Sequence, residues 1–317
     1  MRFFLLSFTT ILISFSAFAQ KPATKVTFRL DWKPGAQQAV FYYARERGYY
    51  TQEGIDLQII PGSGSSDSVK QVGSKAVDLA LADALSMVQG AAQRVPAKSV
   101  AVYFQRTPIV LLSTKAKPIT EPKQLLGDVK VGVKKGSATF LGLAAMLGAN
   151  NIQMEQLKMV DIGFSVQPLL VKQIDAMMDF TMDGPIAAEY AGTPVHELFI
   201  ADHGVNTYGL TIASNDEFIR AKPGLISAFL RATKKAVQEA GDAKPSVIQA
   251  LAKAVDNIDV ARELRGFDRT LPFLTAKGAE FGSQTEARWQ RNIDTAKRLG
   301  LIDNAPAPKD VFVTLAR

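Results

Sequence analysis

The feature that most restricts the fold of this 317-residue chain is a run of short apolar strands, each ending in a loop that opens onto a helix. Val26, Phe28 and Leu30 alternate with Thr27 and Arg29, the two-residue period of a strand. The strand stops at Asp31-Trp32-Lys33-Pro34-Gly35, because Pro34 cannot donate to a ladder and Gly35 loosens the backbone. A helix is expected over 36–47 and a second strand over 57–60. Pro61-Gly62-Ser63-Gly64-Ser65-Ser66-Asp67 then turns into a short helix over 67–74, capped by Asp67 or Ser66. A buried strand over 78–82 leads to Asp83, which can cap a helix over 84–93. Three β-loop-α units in succession imply an α/β fold with a mainly parallel sheet and right-handed crossovers.

The pattern repeats after Gln105-Arg106-Thr107-Pro108, a segment flanked by strands over 100–104 and 109–114, where a crossing to a second lobe is expected. Val129, Val131 and Val133 alternate, and Ser137 can cap a helix that runs to Leu147. Further strands are expected over 157–161, 175–180 and 195–200. A short helix is expected over 168–173, and another runs from Thr181-Met182-Asp183-Gly184-Pro185 to about Tyr190. The return crossing falls within 205–213. Beyond it the chain reads as helical, with helices around 223–241, 246–254, 260–266 and 284–299. This division gives lobe one as 25–105 plus 213–317 and lobe two as 106–212.

Two stretches carry a family resemblance: Leu30-Asp31-Trp32-x-Pro34, and Ala44-x-Glu46-x-Gly48-Tyr49-Tyr50-x-x-Glu53-Gly54-Ile55-Asp56-Leu57. They resemble the periplasmic binding proteins of ABC importers, within the group that carries thiamine pyrimidine precursors, sulfonates, nitrate or riboflavin. The resemblance implies a type II periplasmic-binding-protein fold of two lobes, each a mainly parallel sheet flanked by helices, joined by two hinge crossings. It also implies a small-molecule ligand held between the lobes, an inner-membrane permease as partner, no cofactor and a monomer. Pyrimidine-precursor binders often carry Asn and His where this chain has Gly35 and Gln38. They often carry Tyr-Trp-Asn-x-Glu where it has Thr181-Met182-Asp183-Gly184-Pro185. A related enzyme class makes thiamine pyrimidine, using its own histidine and a cysteine-rich motif. Gln38 and the absence of Cys speak against that reaction here.

Arg2, the apolar run 3–15 and Ala17-Phe18-Ala19 read as a signal peptide over 1–19, cleaved after Ala19, which places the mature chain in the periplasm. The formal charge of +7 is spread among acids with no long basic run, so nucleic acid is not the expected partner. No nucleophile elbow or metalloprotease helix occurs, and His196 and His203 lack metal-site spacing.

The candidate ligand contacts follow from the strand ends, where open α/β sheets bind ligands. Asp31 can accept from ring nitrogens, and Trp32 offers a flat wall for stacking. Gln38 stands at the family's histidine position. Ser63, Ser65 and Ser66 on one lobe, and Ser137 and Thr139 on the other, present hydroxyls at helix starts. Asp83 and Asp183 occupy analogous loop positions. Asp31, Asp67, Asp83 and Asp183 together favour a ligand rich in N–H donors over a bare anion, since like charges repel in a partly dry cleft.

Overall fold

A computed structural model describes residues 23–163, 165–275 and 279–315; the expected signal peptide lies outside them. Among the described residues ten strands form two five-stranded sheets: β1 (Thr24–Arg29), β2 (Ile55–Ile60), β3 (Leu79–Asp83), β4 (Ala97–Val102), β5 (Ile109–Thr114), β6 (Lys130–Val133), β7 (Lys158–Asp161), β8 (Ala176–Phe180), β9 (Val195–Phe199) and β10 (Leu210–Asn215). The first sheet has the order β2-β1-β3-β10-β4 and the second β7-β6-β8-β5-β9.

Each sheet is parallel except for one strand. β10 runs antiparallel to β3 and β4, and β5 runs antiparallel to β8 and β9. The connectivity explains both exceptions. β4 ends at the boundary between the sheets, so β5, which starts there, must run away from it. The same holds for β9 and β10 on the return. The remaining strands therefore deliver their carboxyl ends to the space between the sheets, where loops gather and ligands bind. β10 enters the first sheet at Leu210, three residues before the boundary placed at Ala213, because the chain already pairs with Asp83 there.

The two crossings touch. Thr107 N donates to Thr207 O at 3.2 Å and Gly209 N to Phe104 O at 2.9 Å. A β-carbon on Gly209 would stand 2.6 Å from the Arg106 carbonyl oxygen and 3.0 Å from Phe104 Cβ. Gly209→Ala is predicted to lose about 1–3 kcal/mol of stability by overpacking. Urea unfolding measures it, and an unchanged midpoint would mean the crossings separate freely.

The first sheet is backed by an aromatic cluster. The Phe28 and Phe41 ring centroids lie 4.6 Å apart, Phe229 is 5.2 Å from Phe28, and Tyr103 is 5.0 Å from Phe41. Tyr103 also donates to the Gln37 carbonyl at 2.8 Å. The core thus fixes the backbone that leaves β1. A smaller core around Val110, Leu112, Leu169 and Ile174 backs the second sheet. Helix Val260–Leu274 runs past the expected end at Gly266. Gly266 packs inside it because a β-carbon there would stand 2.7 Å from the Met182 carbonyl. This helix therefore bridges from the first lobe to the loop after β8.

Candidate functional site

A cleft of about 710 Å³, open solvent at its mouth included, lies between the strand ends. From the first lobe it is lined by Asp31, Trp32, Gln37 and Ser65. From the second come the end of β6, the start of helix Ala138–Ala149, and β8 with Met177, Met178, Asp179 and Phe180. Asp183 also faces it. An adjoining mouth is bordered by Lys33, Gln38, Arg262 and Glu263.

Asp31 is only 4% exposed. Burial pushes its carboxyl up to about 6, against the lowering pull of Gln38, whose Nε2 donates to Oδ1 at 2.9 Å. Gln38 Oε1 in turn accepts from Gly35 N at 3.1 Å. Gln38 thus stands behind Asp31 and orients it, bordering the mouth but not the main cavity. Its neighbour Gln37 lines both spaces. The Gln37 side-chain carbonyl oxygen is buried without a hydrogen-bond partner among the described residues, an uncompensated acceptor of the kind that folded proteins seldom leave. The sequence reading passed over Gln37. The chain leaves β1 through a single 3-10 turn, Ala36–Gln38, before the α-helix Ala39–Glu46. That tighter turn sets which glutamine faces the cavity.

Ser65 Oγ accepts from Asp83 N at 3.0 Å, so its own proton can serve an acceptor in the cavity. Ser137 caps its helix, accepting from Phe140 N at 3.1 Å, donating to Lys134 O at 2.6 Å and touching Thr139 Oγ1 at 2.8 Å. Ser137 and Thr139 line the cavity, but Ser137 has its hydroxyl committed to the cap.

Three expected contacts lie elsewhere. Ser63 is exposed and donates to Asp67 at 2.8 Å. Ser66 is the second residue of helix Ser65–Gly73, which starts two residues earlier than expected, behind the cap position Gly64. Asp83 is buried beneath the site, where its Oδ1 accepts from Leu85 N at 2.9 Å as a helix cap. Burial, with Asp31 nearby, pushes Asp83 up to about 7. Asp67 does not cap its helix either. It accepts from Ser63 and pairs with Arg29 at 2.5 Å, and together these outweigh its partial burial and hold its carboxyl below the usual range. Neither Tyr42 nor Tyr43 lines the cavity; both are buried, and Tyr43 donates to Glu239 at 3.1 Å.

Asp179 is the acid that the sequence reading missed. It sits in the otherwise apolar strand Ala-Met-Met-Asp-Phe. Asp179 is half-buried and Asp183 exposed, and both line the cavity. Desolvation by the surrounding protein and repulsion from Asp183 hold Asp179 well above the carboxylate range. Partial desolvation and Glu263 raise Asp183, against the pull of Arg262 and Lys33. The apolar wall of Phe140, Ile162, Met177 and Met178 faces Trp32 across the cavity, a setting for a flat ring.

The lobes touch over the site. Ser66 N donates to Gly136 O at 3.4 Å, and Gly64, at φ 142°, lies so close that a β-carbon would stand 2.6 Å from that oxygen. Arg269 Nη1 joins Glu197 Oε1 at 2.6 Å on the second lobe.

The family model described as NMT1/THI5 like matches residues 36–245. The chain belongs to the NMT1/THI5-like family. Among its relatives is a formylaminopyrimidine-binding protein of Halalkalibacterium halodurans, 23% identical over 92% of this chain and 90% of that protein. A riboflavin-binding protein of Chloroflexus aurantiacus is 24% identical over 92% and 85%. A 4-amino-5-hydroxymethyl-2-methylpyrimidine phosphate synthase of Saccharomyces cerevisiae is 25% identical over 67% and 66%. In fold, this NMT1/THI5-like chain matches the alkanesulfonate-binding protein of Xanthomonas axonopodis pv. citri, with a TM-score of 0.73 at 13% identity, covering 92% and 99% of the two chains. The fold is that of a two-lobed periplasmic binding protein. Among the described residues no group of His, Asp or Glu could hold a metal ion, and no helix is long and apolar enough to cross a membrane.

Proposed function

We propose that this NMT1/THI5-like protein is the periplasmic substrate-binding component of an ABC importer, and that it captures a small nitrogen-containing heterocycle between two closing lobes. Lobe one is then the first sheet with the carboxyl-terminal helices, lobe two the span between the crossings. The signal peptide over 1–19 would deliver the chain to the periplasm, where it acts as a monomer and hands its ligand to an inner-membrane permease. The observation that carries the reading is the pairing of Asp31 with Gln37, whose side-chain oxygen has no partner among the described residues, in a cavity walled by Trp32 on one side and Phe140 and two methionines on the other. Both acceptors call for N–H donors, and the walls call for a flat ring.

Closure needs no bond to be made or broken: the ligand stabilises the closed form by its differential affinity for it. The synthase reading of the yeast relative is disfavoured, because this chain has no Cys and has Gln38 at the family's histidine position. Among the described residues Lys134 is the single basic side chain lining the main cavity, and it would be the anchor for the alternative ligands, a sulfonate or nitrate. Riboflavin remains the third alternative.

A thermal-shift screen of the mature protein with aminopyrimidines, thiamine, riboflavin, taurine, aryl sulfonates and nitrate tests the reading. A heterocycle at a hundredfold excess over its dissociation constant is predicted to add about 2.7 kcal/mol of stability. A shift with sulfonates or nitrate alone would overturn the heterocycle assignment.

A further inference from the structure

We propose that Glu263 is a positioning residue of the ligand site: from the helix Val260–Leu274 it fixes the turn Ala36–Gln38 and so holds the Gln37 side chain in the cavity. The inference rests on the binding-protein reading above and assigns a further residue to the same site.

Glu263 is a buried acid, 7% exposed, in the carboxyl-terminal helical segment. Its two carboxyl oxygens have different partners. Oε1 accepts from Arg262, from Nη2 at 2.7 Å and from Nε at 3.2 Å. Oε2 accepts from Ala36 N at 2.6 Å, across 227 positions of the chain. Arg262 thus supplies the counter-charge that a carboxyl held out of water needs, and the second oxygen is left for the turn.

Ala36 opens the 3-10 turn, and the first N–H groups of a helical turn have no partner within it. Gly35 N is taken by Gln38 Oε1 at 3.1 Å, and Ala36 N is taken by Glu263. On the core side Tyr103 donates to the Gln37 backbone carbonyl at 2.8 Å. Residues distant in sequence therefore grip the turn from two sides. Neither grip is on the Gln37 side chain, whose carbonyl oxygen has no partner among the described residues. Its place in the cavity depends on where the backbone is held.

The fit between helix and turn is close. A β-carbon on Gly35 would stand 3.3 Å from Glu263 Oε2. A β-carbon on Gly266 would stand 3.1 Å from Ala36 Cβ. Positions 263 and 266 share one helix face, so the helix meets Ala36 at two successive points of that face.

The test is calorimetric titration of the mature protein with 4-aminopyrimidine, run as a double-mutant cycle on Glu263 and Gln37. Gln37→Ala and Glu263→Ala are each expected to lower affinity about tenfold. Glu263→Gln keeps an oxygen for Ala36 N and should stay within about threefold of the parent. In the Gln37→Ala background, Glu263→Ala should cost less than about threefold more, because the side chain that it positions is gone. A role in stability alone would give the same loss in both backgrounds, and that result overturns the inference while leaving the heterocycle reading standing. Parent-like affinity in Gln37→Ala overturns it as well. Glu263→Asp keeps the charge beside Arg262 but draws the carboxyl back from Ala36, and it carries the same expectations where Glu263→Ala folds poorly. If the parent binds benzenesulfonate and not 4-aminopyrimidine, the heterocycle reading fails and this inference goes with it.

Discussion

Asp31→Asn is expected to lower heterocycle affinity about a hundredfold while making the ligand-free protein more stable at neutral pH. The two effects have one cause. Asp31 is held out of water, and its carboxyl titrates at about 6, against an ordinary 3.8. The folded state thus binds this proton more tightly than the unfolded chain does. The stability tied to that proton is fully present below about pH 4 and is lost as pH rises through 6, because the unfolded chain ionises first. A shift of that size corresponds to roughly 2–3 kcal/mol at pH 7.5. Asparagine keeps the shape and the link to Gln38 and removes the buried charge. The variant should therefore exceed the parent in urea midpoint at pH 7.5 and match it near pH 4.

Binding runs the other way. A ring N–H gains a charge-assisted bond from ionised Asp31, worth about 1.5–3 kcal/mol, and an asparagine amide can present an N–H against it. In the parent protein, affinity for such a ring should fall as pH drops below 6, because Asp31 must first give up its proton. If Asp31→Asn is less stable than the parent at both pH values, the carboxyl contributes to the fold rather than to the ligand, and the site assignment fails. This is the stability–function trade-off expected where a polar group is kept buried for an occupant.

The β-loop-α rhythm of residues 26–93 was legible in the sequence because each strand is short, apolar and closed by Pro, Gly or Asp. The antiparallel β5 and β10 were not, since strand direction depends on which sheet the chain enters and from which side. Within the site, Asp31 and Trp32 could be located from position alone: they follow the first strand. Gln37 could not be told from Gln38, because the difference lies in one 3-10 turn that no side-chain pattern marks. Asp179 did leave a signal, a lone charge inside Ala-Met-Met-Asp-Phe, but the apolar neighbours made the segment read as core strand. Ser66 and Asp67 were misplaced for a backbone reason. Gly64 at φ 142° lets the helix begin at Ser65 without a side-chain cap, so neither was needed as one. Asp83 fitted a cap and a contact equally well from sequence, and its burial beside Leu85 N makes it the cap.

Gly64→Ala should weaken ligand binding about a hundredfold although Gly64 is not among the cavity-lining residues. A methyl group at this position would sit 2.6 Å from the Gly136 carbonyl oxygen on the facing lobe, inside van der Waals contact with backbone that has no side chain to move aside. The same approach brings Ser66 N to Gly136 O at 3.4 Å, so the substitution opposes this meeting of the lobes. A penalty of about 2.7 kcal/mol, within the usual overpacking range, lowers affinity a hundredfold when it falls on the closed form alone. Gly64 also has a φ that L-residues rarely adopt, so some loss of stability is expected with no bearing on closure. Gly54→Ala separates the two effects: φ is 75° there and nothing lies within 4 Å of the added carbon. That control should lose stability and keep its affinity. Small-angle scattering with saturating ligand should report a larger radius of gyration for Gly64→Ala than for the parent. Equal affinity in Gly64→Ala and Gly54→Ala would mean that binding does not require these two turns to meet, and the closing-lobe mechanism would have to give way to a site already formed in the open protein.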